Sequence, residues 1–242
     1  MATAYVKDDN GTNEAMGVSR KIQLVEVAVF LFLIVPSLVL SLVVSPQAQA
    51  TVGFRLTAVM VIVRDLALVS LVLYFVWRNG EALVRIGWTF RGFPLEILLG
   101  ILLFVPMAYA IGWLEQFFAS IGLSSPAASS SSFLHPSGGA ELWLAMVLVV
   151  VVAVAEETIF RGYLMRRFIG IGLGKTLAVL LSSLIFAVGH GYEGSSGVAT
   201  VAVMGVIFAL VYLWRGSLVA PMVMHFLQDF LAIVVLPFLV GK

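Results

Sequence analysis

The 242-residue chain is 61% hydrophobic and only 11% charged, with a mean hydropathy of +1.09. Soluble domains carry about 25% charged residues, so a soluble globule is excluded and the bilayer is the solvent. A net charge of +1 with no long Lys/Arg run excludes a nucleic-acid partner, and the absence of Cys excludes disulfides, thiolate nucleophiles and Cys-held metals.

Residues 1–20 are polar and mixed in charge (Lys7, Asp8, Asp9, Glu14, Arg20) and read as a flexible cytoplasmic tail. Seven apolar stretches follow, at about 27–45, 56–77, 95–117, 142–165, 173–190, 197–214 and 217–239. Each is close to the ~20 residues that a spanning helix needs. Their continuous rather than alternating apolarity selects helices over a barrel. The expected fold is an all-α polytopic transmembrane bundle of about seven spans. Ala48-Gln49-Ala50 looks like a signal-peptidase site, but the preceding apolar run is too long for a signal peptide, which predicts an uncleaved anchor.

If the spans alternate, one set of connections holds Lys7, Arg20, Lys21, Arg78, Arg85, Arg91, Arg161, Arg166, Arg167, Lys175 and Arg215, and the other only Arg55 and Lys242. The basic set belongs in the cytoplasm, which puts the N-terminus inside. The segment from about Ser120 to Ala140, with Ser129 to Ser132 and His135, then reads as an external loop, and His135 as merely solvated. The five Trp residues fall near span ends, as an interfacial belt would have them.

Ionisable side chains cost roughly 2.5–3.5 kcal/mol at the centre of a spanning helix, so each needs a partner or a function. Here they cluster. The fourth stretch carries Glu156, Glu157 and Arg161, the fifth ends in Phe186 and His190, and the seventh holds His225 and Asp229. Glu157 and Arg161 lie four residues apart, on one helix face, and can pair; Glu156 is rotated about 100° away and left free to act. His225 and Asp229 share a face in the same way, as do Phe186 and His190. A carboxylate with two imidazoles around an interior cavity suits the activation of water: Glu156 with His190 would deprotonate it, and His225 with Asp229 would hold a carbonyl and its oxyanion. Glu156, His190 and His225 could instead hold zinc, although no H-E-x-x-H pattern is present. Arg64-Asp65 in the second stretch reads as a structural ion pair facing the bundle interior, or else as part of a substrate channel.

The order E-E-x-x-x-R, F-x-x-x-H and H-x-x-x-[N/D] on successive membrane helices resembles the CPBP family, the CAAX prenyl endopeptidases and bacteriocin-processing or Abi proteins. The resemblance covers about residues 90–239. It implies an intramembrane endopeptidase in which Glu156 and His190 activate water, His225 and residue 229 form an oxyanion site, and Glu157, Arg161 and Phe186 support them. Members are often named metalloproteases, and a metal-free glutamate mechanism is also argued for them. Position 229 is Asp here, where prenyl-protein members usually carry Asn, and an ionised Asp is a poor oxyanion donor.

The expected organisation is a tail over 1–20, N-terminal transmembrane helices over 21–93 and a catalytic membrane domain over 94–242. The expected partners are a membrane-associated protein or peptide substrate and the lipid bilayer, in the bacterial inner membrane. Two other classes draw on the same residues: a proton-coupled transporter using the carboxylates as a relay, and a non-catalytic scaffold or immunity protein in which Glu156 is dispensable. One geometric demand is plain. At 1.5 Å per residue His225 lies ~12 Å from the inner end of its stretch and His190 ~25 Å from that of its own. A tilted fifth helix, or a fourth helix running on past Arg167, would bring them level.

Overall fold

The structure, a computed structural model, describes residues 18–43, 52–124 and 135–240. The N-terminal tail up to residue 17, Ala48-Gln49-Ala50 and the serine run 129–132 lie outside the described residues. Every apolar stretch forms a helix. They are α1 (Arg20–Val43), α2 (Phe54–Arg78), α3 (Phe93–Ser120), α4 (Gly139–Gly170), α5 (Gly174–Val188), α6 (Gly194–Arg215) and α7 (Val219–Val235, continued by Leu236–Val240). Five of them are long and apolar enough to cross a membrane, and α5 and α7 are shorter apolar helices.

Lipid exposure sorts the bundle. The spanning windows of α4 and α6 are each 56% buried, against 28%, 22% and 17% in α1, α2 and α3, so the first pair forms the centre and the first three helices its lipid-facing flank. Large apolar side chains such as Phe32 and Tyr109 point outward, which is costly in water and not in hydrocarbon. Trp77, Trp113, Trp143 and Trp214 are exposed near helix ends. Trp88 departs from this belt: it turns inward and its Nε1 donates to Thr158 Oγ1 at 3.2 Å.

Charge is concentrated at the basic end of the bundle, where it fastens helices together. Glu26 of α1, 1% exposed, accepts from Arg78 Nη2 and Asn79 Nδ2 at 2.7 Å each, from Tyr163 OH at 2.8 Å and from Arg167 Nε at 3.0 Å. Arg167 also pairs with Glu81. Glu96 at the start of α3 takes Arg215 at the end of α6, 2.7 Å from Nη2. Each carboxylate thus neutralises a cation that would otherwise lie against apolar helix ends.

Two features bring the polar motifs to one level. Helix α4 runs past Arg167 to Gly170, which leaves Glu156 near its middle, ~21 Å from its C-terminal end. Helix α7 begins inside the protein: Leu218 is 1% exposed and its N–H donates to Gly87 O at 3.0 Å, on the segment that joins α2 to α3. His225 therefore sits deeper than a count from a membrane surface predicts. Both helices also switch to π-helical winding next to their motifs, over Thr158–Leu164 and Phe230–Val235. Single π turns inside α-helices recur at functional sites because the added residue per turn re-aims the side chains around them.

Candidate active site

Glu157 is fully buried, and its Oε1 accepts from Arg161 Nη1 at 2.7 Å and from His225 Nδ1 at 3.0 Å. Arg161, also fully buried, donates from Nη2 to Gly205 O at 3.2 Å. Its guanidinium lies over the rings of Phe186 and Phe208, 4.3 and 5.3 Å from their centroids. A desolvated cation between two aromatic faces gains about 2 kcal/mol per contact, which helps offset its burial. Gly205 eases this approach: a Cβ there would stand 3.2 Å from Arg161 Nη2 and 3.0 Å from Ser183 Cβ.

The His225 ring is fixed on every side. Phe208 stacks on it at 5.5 Å and Phe186 meets it edge-on at 5.7 Å, while Glu157 holds Nδ1. The other nitrogen, Nε2, faces Asp229 Oδ2 at 3.5 Å and Glu156 Oε2 at 3.9 Å. The two adjacent glutamates thus reach opposite nitrogens of one imidazole, Glu157 from the packed side and Glu156 from the open one.

The open side is a cavity of about 410 Å³ lined by residues of α1, α2, α4, the turn after α5, and α7. Glu156, His190, Asp229, Arg64 and Asp65 all line it. Glu156 is 7% exposed; its Oε1 lies 3.4 Å from Arg64 Nη2, and its Oε2 has no hydrogen-bond partner among the described residues. His190, half-buried just beyond α5, has its Nδ1 3.1 Å from Phe186 O. A carbonyl only accepts, so Nδ1 carries a proton and Nε2 is the nitrogen left for the cavity. Phe186 packs on this ring too, at 4.9 Å. The structure thus gathers Glu156, His190, Asp229 and Phe186 on one cavity and sets His225, Glu157 and Arg161 behind it.

Zinc does not fit these residues as they stand. Among the described residues no three His, Asp or Glu side chains group as a metal site. Arg64 already supplies positive charge beside Glu156, where a divalent cation would be repelled.

Sequence reasoning missed three of these relationships: Glu157 with His225, Arg64 with Glu156, and Trp88 with Thr158 one residue beyond Glu157. Arg64-Asp65 is the ion pair that the sequence suggests, Nε to Oδ1 at 2.8 Å, but the guanidinium also lines the cavity. An unusual charge in the second span was the available signal; its cross-helix partner was not legible.

Fold and site together define a polytopic helical membrane protein whose charged groups converge inside the bundle. Residues 138–231 match the family described as type II CAAX prenyl endopeptidase Rce1-like, the CPBP resemblance read from the motifs. The matched segment contains Glu156, Glu157, Arg161, Phe186, His190, His225 and Asp229 and excludes α1, α2 and α3. Neither the curated proteins nor the solved structures contain a match. The family supports an intramembrane endopeptidase of the CAAX type in general terms, and a protein or peptide as its substrate.

Proposed function

We propose that the chain hydrolyses a peptide bond of a membrane-associated protein or peptide, using water activated by Glu156 and His190. The observation that carries this reading is the state of Glu156: a buried carboxylate with an unpartnered Oε2, on a cavity it shares with His190, 3.9 Å from an imidazole that is locked from behind. A buried carboxylate oxygen left without a hydrogen bond costs stability, so its place on the cavity calls for a function.

In this mechanism water sits between Glu156 Oε2 and His190 Nε2. Glu156 takes its proton as the oxygen attacks the scissile carbonyl, and the same proton passes to the departing amine as the C–N bond breaks. General-base help of this kind contributes about 10²–10⁴ in rate. His225, protonated on both nitrogens, donates from Nε2 to the carbonyl oxygen while Glu157 and Arg161 hold its ring. Asp229 orients that nitrogen from the next turn of α7. The basic end of the bundle faces the cytoplasm, and the membrane is the bacterial inner membrane.

The test is a comparison of protein N-termini in membranes of cells carrying the wild-type chain or Glu156→Gln. New N-termini confined to wild-type membranes are the expected result and give the substrate with its cleavage site. Identical N-termini in the two membranes would sink the hydrolase reading.

A further inference from the structure

We propose that Arg64 is the oxyanion-binding residue of this site, a role that rests on the hydrolase reading above and adds a catalytic group from a helix outside the family-matched segment. Hydrolysis puts a negative charge on the carbonyl oxygen, and preorganised donors aimed at that oxygen are commonly the largest catalytic contribution. At position 229 this chain has a carboxylate. Asp229 Oδ2 lies 3.5 Å from His225 Nε2, so it competes for the proton that would be offered to the oxyanion and adds negative charge beside it. The site needs a further cation, and α2 supplies one.

Arg64 lines the same cavity as Glu156, and its side chain is 39% exposed. Asp65, 1% exposed, takes both Nε and Nη2 of Arg64 on its Oδ1, each at 2.8 Å, which fixes the plane of the guanidinium. The same Nη2 stands 3.4 Å from Glu156 Oε1, too long for a strong charge-assisted bond and close enough for neighbouring action. That spacing suits the chemistry. The two oxygens on a tetrahedral carbon are near neighbours, one from the water that Glu156 deprotonates and one from the substrate carbonyl. An adjacent base and cation can each serve one of them. Glu156 takes the water proton, the water oxygen bonds to carbon, and the carbonyl π pair moves onto oxygen, where the Arg64 N–H groups and His225 Nε2–H receive it. When the C–N bond breaks the pair returns to form C=O and Glu156 protonates the amine. A merely structural pair with Asp65 does not require the guanidinium to lie beside the catalytic carboxylate as well.

The experiment uses full-length protein in nanodiscs, with a synthetic peptide spanning the cleavage site found from the membrane N-termini and its phosphinate analogue, a mimic of the tetrahedral intermediate. R64M is expected to lower kcat by about 10²–10³ with KM within about threefold, the loss typical of one missing oxyanion donor. Its affinity for the phosphinate should fall by the same factor, and its affinity for the uncleaved peptide should hold. R64K keeps the charge and should recover part of kcat, and it also serves if R64M fails to fold. The proposal is overturned if R64M keeps kcat within about threefold of wild type, if only KM rises, or if peptide and phosphinate affinity fall equally. It is also overturned if R64K is as inactive as E156Q while binding the phosphinate normally. An E156Q chain that cleaves like wild type fails the hydrolase reading itself, whereas an inactive E156Q beside a fully active R64M fails the Arg64 role alone.

Discussion

His225 and Glu157, 68 positions apart in the chain, are joined by a buried hydrogen bond of 3.0 Å from Nδ1 to Oε1. The same carboxylate oxygen takes Arg161 at 2.7 Å, so one atom ties the π turn of α4 to α7 and fixes which ring nitrogen faces the cavity. Positioning of this kind is what keeps a catalytic geometry within tenths of an ångström.

Glu157→Gln should therefore act differently from a change at the neighbouring glutamate. It leaves the Arg161 guanidinium buried without a counter-charge, an arrangement that costs about 3–5 kcal/mol. Lower yield and a lower melting temperature in detergent are expected together with lost cleavage. The double variant Glu157→Gln with Arg161→Met removes both charges and should regain stability but not activity, because His225 remains unheld. An unchanged melting temperature in the single variant would remove the pair from the structural core of the site.

Glu156→Gln should abolish cleavage while the protein stays folded in the membrane. Gln matches Glu in size but cannot take a proton from water, so a factor of about 10²–10⁴ or more is lost. Stability should change little, since Gln can still accept from Arg64 where Oε1 stood and the other oxygen, Oε2, has no hydrogen bond to lose. Peptide turnover and thermal unfolding of the same preparation separate the two effects. Full turnover by Glu156→Gln beside an inactive His190→Ala would show that Glu156 is not the base.

Orientation is open to a direct chemical check because the chain has no Cys to remove. Val52→Cys lies just before α2 at the sparsely charged end, and Lys175→Cys at the start of α5 at the basic end; both positions are exposed. An impermeant maleimide added to intact cells should label Val52→Cys, and Lys175→Cys only after permeabilisation. The reverse pattern would overturn the assignment of the basic end to the cytoplasm.

What the sequence made legible follows from which interactions are local. Seven helices could be read because lipid demands continuous apolar runs, and the Glu157–Arg161 pair because a spacing of four residues puts both on one helix face. Contacts between helices were hidden. Nothing in the spacing says that Glu157 meets His225, that Arg64 leans on Glu156, or that Trp88 leaves the interfacial belt for Thr158. Glu26 stood at the margin of its apolar stretch, with no sign that two arginines, an asparagine and a tyrosine converge on it. The depth of His225 was obscured for a related reason: α7 starts within the protein, and no hydropathy pattern marks a helix end that is covered by another segment.

The approach of α6 to the site yields a last expectation. Gly205 lets its carbonyl accept Arg161 Nη2 at 3.2 Å while α6 lies against Ser183 of α5. Gly205→Ala adds a Cβ 3.0 Å from Ser183 Cβ and 3.2 Å from the guanidinium, contacts that need shifts of a few tenths of an ångström. Gly205→Val must move a helix or the arginine, and overpacking of this kind costs about 1–3 kcal/mol. Displacing Arg161 displaces Glu157 and with it His225, so cleavage should fall further in the Val variant than in the Ala variant, in step with the melting temperature. Gly112 of α3 is the internal comparison, because a Cβ there meets nothing within 4 Å. Gly112→Ala should leave activity intact and hold or slightly raise stability, as Ala is the better helix former. Equal losses from Gly205→Val and Gly112→Val would show that the effect comes from bulk in the bundle rather than from the arginine that holds the site.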